Sequence, residues 1–153
     1  MASTEFLEQV RAAATDPAKA LELTLAHIDA DTGTLHTLGP DGLLQLQAWA
    51  GGIPEPLLAI IQKIPVGKGI AGLAVERKAP VDLCNLQTDS SGQARPRAKE
   101  TGVKGSICVP MMAGEEAVGA LGVATVRERE FTEEETAELL EVGRILAAHY
   151  AQP

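Results

Sequence analysis

Between Ala117 and Val126 the chain carries apolar residues on both faces of a segment with the length of one β-strand. Leu121 and Val123 fall on one side, while Val118, Ala120, Ala124 and Val126 fall on the other. A sheet that contains this strand must be covered on each face, and the cover has to come from helices elsewhere in the chain. A second apolar run, Ser106 to Met112, precedes it across Ala113-Gly114-Glu115-Glu116, so the two form a hairpin.

The covering helices are predicted at the two ends. The first begins near Ser3 or Thr4, with Phe6, Leu7, Val10 and Ala14 as a short apolar stripe. Asp16-Pro17 supplies a cap and a proline at the first helical position of a second helix, in which Leu21, Leu25 and Ile28 recur at helical spacing up to about Asp29. The last helix opens on Thr132 and Glu135, spaced as a capping box, and its acids Glu133, Glu134 and Glu135 complement the helix dipole. Leu139, Val142 and Leu146, flanked by Leu140, Ile145 and Ala147, give it a broad apolar face.

Between the ends lies another hairpin. Thr34 to Leu38 is followed by the turn Gly39-Pro40-Asp41-Gly42, then by Leu44, Leu46 and Ala48 alternating with Gln45, Gln47 and Trp49. Gly51-Gly52 breaks it. Pro54 to Ile61 reads as a short helix, Ile70 to Arg77 as another, and Pro80 to Leu83 as a short strand. Asn85 to Lys104 is poor in large apolar residues and predicts a surface loop with one helical turn around Arg95 to Glu100. With no linker or repeat in its 153 residues, the chain is expected to form one domain over 1–153, of the α+β class, with hairpins of sheet between helices.

Charge narrows the function classes. The formal net charge is −8, which argues against general affinity for nucleic acid or an anionic membrane. Four aromatic residues (Phe6, Trp49, Phe131, Tyr150) leave few platforms for stacking bases. The residues from Lys63 to Lys104 hold eight bases against four acids, a local +4 that leaves −12 on the remainder. The start MASTEFLEQV has no leader pattern, and no apolar run approaches the roughly 20 residues that span a bilayer, so a cytoplasmic location is expected. Cys84 and Cys108 are too few for a disulfide framework and would there remain thiols.

Three runs in fixed order, IPVGKGIAGLAVERKAPVDLCNL, SICVPMMAGEEAVGALGVATV and REREFTEEET, span Ile64 to Thr136 and resemble the second half of a GAF domain. The resemblance implies a GAF (PAS-like) fold, a central antiparallel sheet of about six strands with helices on both faces. It implies a ligand-binding sensory module or, in a minority branch, a free methionine-(R)-sulfoxide reductase. That branch places one cysteine three residues before the isoleucine of IPVGKG, one between Gly69 and Gly72, and one in the loop before SICVP. This chain has Ile61, Ala71 and Lys99 at or near those places, and Ser106 where a glutamate is expected.

Other chemistries of the family find equally little support. Bilin attachment uses a cysteine followed by histidine, but Cys84 precedes Asn85 and Cys108 precedes Val109. His27, His36 and His149 are scattered singly and are expected as surface or satisfied histidines rather than haem ligands. No Cys/His/Asp spacing suggests zinc, and the Gly67 to Gly72 run lacks the Gly-Lys-Ser/Thr of a phosphate loop. Arg127 to Glu135 partly resembles the Asn-Lys-Phe-Asp-Glu signature of cyclic-nucleotide-binding relatives, with Arg127 standing for the lysine and the asparagine missing.

The expected function is therefore a non-catalytic sensor without cofactor or metal, binding a small molecule between the sheet and the Asn85 to Lys104 loop. The basic excess there makes an anion the sharper expectation. Position and chemistry nominate Trp49, Cys84, Asp89, Arg95, Arg97, Thr101, Ser106 and Thr125 for the pocket. Output would pass through a partner protein or a homodimer made by the terminal helices. The alternative is a thiol-redox enzyme related to the reductases, with Cys84 as its nucleophile.

Overall fold

A computed structural model describes residues 2–83 and 103–150. Eleven elements follow in the described residues: α1 (Ala2–Ala12), α2 (Pro17–Ile28), β1 (Thr32–Leu38), β2 (Leu43–Ala50), α3 (Glu55–Ile60), β3 (Lys63–Pro65), α4 (Gly69–Arg77), β4 (Val81–Leu83), β5 (Gly105–Ala113), β6 (Glu116–Thr125) and α5 (Glu133–Tyr150). The six strands form one antiparallel sheet in the order β3-β2-β1-β6-β5-β4. The α+β class and both hairpins are as expected. β3 is the strand that periodicity missed, because three residues with one buried side chain, Ile64, carry no alternation to read.

The helix starts follow their local chemistry. Asp16 caps α2 by accepting the Lys19 amide at 3.2 Å, with Pro17 in the first turn. At α5 the box is reciprocal: the Glu135 amide donates to Thr132 Oγ1 at 3.0 Å, and the Thr132 amide donates to Glu135 Oε1 at 2.9 Å.

One face of the sheet packs against α1, α2 and α5. Leu35, Ile107, Val109, Met111, Leu121 and Val123 meet Phe6, Val10, Leu21, Leu139, Val142 and Leu146 in the main core. Gly143 lets α5 approach β5 closely, since a Cβ there would lie 3.3 Å from the Pro110 carbonyl oxygen. His27 of α2 stacks on Phe6 of α1 at 4.0 Å between centroids and hydrogen-bonds Glu138 of α5 at 2.7 Å, so one side chain ties the three helices together. The opposite face carries a second core in which Ala71, Ala74 and Val75 of α4 cover Val81, Cys108, Ala117 and Ala120.

Two register shifts change the faces that simple alternation assigns. In β2, Ala48 pairs with Leu35 and Leu46 with His36, leaving Gln47 as the extra residue. Leu44 therefore joins the α4 side while Ala48 joins the main core, although strict alternation puts them on one face. In β6 the extra residue is Val118, which packs with the main core, opposite to the face it shares with Ala120 in an unbroken strand.

Arg129 fastens the segment between β6 and α5 to the end of α2. Its guanidinium donates to the carbonyls of Ile28 at 2.7 Å and Asp29 at 2.8 Å, pairs with Glu135, and lies 4.7 Å over the Phe131 ring. The largely covered cation of this segment is thus Arg129. Arg127, which stands for the lysine of the partial Asn-Lys-Phe-Asp-Glu resemblance, makes an exposed contact with Asp29 at 3.3 Å.

Candidate functional site

Rungs across three strands build the floor of a cavity on the α4 side. Thr34 pairs with Gly122 and Gly122 with Cys108, while Thr32 pairs with Ala124 and Ala124 with Ser106. Cross-strand partners share a face, so these side chains look the same way, and His36 follows Thr34 two residues along β1. Gly122 keeps the floor low. A Cβ at that position would stand 2.8 Å from Cys108 Sγ and 3.2 Å from Thr34 Oγ1.

The walls are aliphatic. Ile53, Pro54, Leu57, Ile60, Ile61 and Ile64 come from around α3 and β3, Ile70 and Ala71 from α4, and Val103 from the approach to β5. The cavity is partly open and measures about 180 Å³. Apolar cavities of about 150 Å³ already admit a benzene-sized ring, so this one has room for a small organic molecule.

His36 joins Thr32, Thr34 and Ser106 as the polar part of the lining. Its residue is 2% exposed and its Nε2 lies 2.9 Å from the Ile61 carbonyl oxygen. A carbonyl can only accept, so Nε2 carries the proton and donates. Nδ1 is then a lone-pair acceptor, buried, with no hydrogen-bond partner among the described residues. Burial pulls the pKa below the ordinary histidine value against the opposing effect of the Ile61 bond, which leaves the ring neutral at pH 7. An unmet buried acceptor costs about 1–3 kcal/mol. Cys108 is fully buried, and desolvation pushes its thiol up to about 12, far from a nucleophilic thiolate at neutral pH.

The nominated residues divide. Ser106 lines the cavity. Thr125 is fully buried but spends its hydroxyl on the Arg127 carbonyl at 2.7 Å, on the strand position next to the cavity-facing Ala124. Trp49 pairs with Thr34 yet stays 45% exposed and does not line the cavity; it borders a shallow hollow with Asp16, Pro17 and Gln47. Cys84, Asp89, Arg95, Arg97 and Thr101 lie outside the described residues, as does the predicted loop apart from Val103 and Lys104. Val103 departs from a surface loop, being 5% exposed and packed with Leu83.

Residue-type reasoning passed over His36, Gly122 and the isoleucines. The usable signal for His36 was its strand position, two residues from Thr34 and four from Thr32, which places all three on one face. Among the described residues no cluster of three or more His, Cys, Asp or Glu is placed to hold a metal, and no helix is long and apolar enough to cross a membrane.

The comparisons agree with this architecture. The free methionine-R-sulfoxide reductase of Neisseria meningitidis, solved with its substrate, superposes with a TM-score of 0.79 at 17% identity over 97% of this chain and 88% of that one. The GAF domain of a phosphoenolpyruvate-protein phosphotransferase from Coxiella burnetii gives 0.76 at 24% identity over 97% and 92%. The Staphylococcus aureus free methionine-R-sulfoxide reductase in complex with substrate gives 0.74 at 18% identity over 95% and 94%. At these identities the likeness shows the fold. No curated protein sequence matches the chain. The sequence model of the GAF domain matches residues 4–151, nearly the whole chain, and the protein belongs to the GAF domain family.

Proposed function

We propose that this domain binds a small organic molecule without transforming it, in the cavity above Gly122, and passes the bound state to a partner protein or a second copy. The observation that carries the reading is the cavity itself, about 180 Å³ with aliphatic walls over a floor lowered by a glycine. Small-molecule sensing is common in GAF domains, and the family membership supports it. Ile61 and Ala71, two of the three places where the reductase branch has cysteines, line the cavity with aliphatic side chains. The described lining contains one thiol, Cys108, which burial holds protonated.

The local +4 between Lys63 and Lys104 keeps an anionic group on the ligand within the proposal. The described wall itself contributes no Lys or Arg, so it favours an apolar body for the rest of the molecule. Gly122→Val tests the reading by filling the floor. The native protein is expected to carry a small molecule through purification, or to gain melting temperature with members of a panel of heterocycles, small carboxylates and nucleotides. The variant is expected to lose both responses. An unchanged response in a folded variant places binding elsewhere, and turnover of free methionine-(R)-sulfoxide with a thiol reductant overturns the non-catalytic reading.

A further inference from the structure

We propose that the cavity selects compact, largely apolar ligands that present one neutral O–H or N–H donor to His36 Nδ1. The inference rests on the small-molecule reading above and adds the chemistry of the recognised group. It starts from a buried imidazole whose two nitrogens have different fates.

Nε2 is committed to the Ile61 carbonyl at 2.9 Å, which fixes both the tautomer and the orientation of the ring. Turning the ring to offer Nε2–H to a ligand would break that bond and strand the carbonyl of Ile61. Nδ1 is left as an acceptor without a partner among the described residues. The ring borders the cavity while Nδ1 itself is buried in the wall, so a ligand donor reaches it from the cavity as the side chains around the ring give way.

The ring therefore distinguishes ligand groups. A phenolic or alcoholic O–H, or the N–H of an indole or lactam, satisfies Nδ1. A carboxylate or phosphate has no proton to give and would set lone pair against lone pair, so an anionic group on the same ligand must lie away from His36. Leu57, Ile61, Ile64 and Ile70 suit the apolar body of such a molecule.

Indole and indene test this, because they share shape and differ at one ring position, N–H against CH₂. The native protein with ¹⁵N-labelled histidine is titrated with each, following affinity and the His36 ring-nitrogen resonances. Indole is expected to bind at least about fivefold tighter than indene and to move Nδ1 toward its hydrogen-bonded position, while indene leaves it in place. His36→Phe is expected to bring the two affinities together, and the native-protein resonances carry the test should that variant fail to fold. Equal affinities with an unmoved Nδ1 overturn the donor rule and leave cavity binding standing. Binding of neither probe overturns the proposal that the cavity selects compact apolar donors and leaves the broader cavity reading to the Gly122→Val test.

Discussion

His36 sets both the chemistry of the cavity and a pH dependence of folding. Its pKa in the folded state lies below the ordinary value near 6.5, so the unfolded chain takes up a proton that the folded chain refuses. The contribution is fully present above pH ~6.5 and is lost as pH falls toward the folded value. Denaturant midpoints measured from pH 7.5 to 5 should fall more steeply for the native protein than for His36→Phe; parallel curves would show that His36 does not titrate differently on folding. At this scale the sequence was only partly legible. Ser106 was nominated by position and chemistry, at the start of the apolar run to Met112, whereas His36 and Gly122 gain their meaning from rungs to Ala120, Thr34 and Cys108 that a single strand does not reveal.

Among elements, α5 shows what local chemistry announces and what it hides. The reciprocal bonds of Thr132 and Glu135 follow from their spacing alone. Arg129 does not, because its acceptors lie at the end of α2, about 100 residues away in sequence. Thr132→Ala is expected to cost about 1 kcal/mol as a lost cap. Arg129→Met should cost more, about 2 kcal/mol, since it strands the Ile28 and Asp29 carbonyls and unpairs Glu135. Urea unfolding of both variants checks the order, and a larger loss from Thr132→Ala would reject the clasp. Burial tends to raise the Glu135 pKa, but the Thr132 amide and the Arg129 guanidinium outweigh it and hold the carboxyl below the usual range. The stabilisation from Glu135 is thus complete above the ordinary carboxylate pKa near 4.3 and disappears as pH falls through the lower folded value.

In the whole molecule, the sheet separates the cavity on its α4 side from the α1, α2 and α5 layer on the other. A dimer through the terminal helices remains our proposal for output, and their surfaces shape the expectation. No large apolar side chain of α1 or α5 is exposed among the described residues, while Glu5, Glu8, Arg11, Glu133, Glu134 and Arg144 are. Such an interface would be polar and salt-sensitive. Sedimentation at rising concentration is expected to show dimer that dissociates with added salt, and a monomer at every concentration would remove the proposal. The sequence by itself determined the elements other than β3, the α+β class and the need for cover on both faces, because caps, turns and apolar period act within a few residues. Tertiary structure alone decided the faces beyond the two bulges, the Arg129 clasp, and the meeting of His36, Gly122 and Ile61 around one space. Those depend on strand register and on contacts between distant segments, and a one-residue shift in register moves a side chain to the other face.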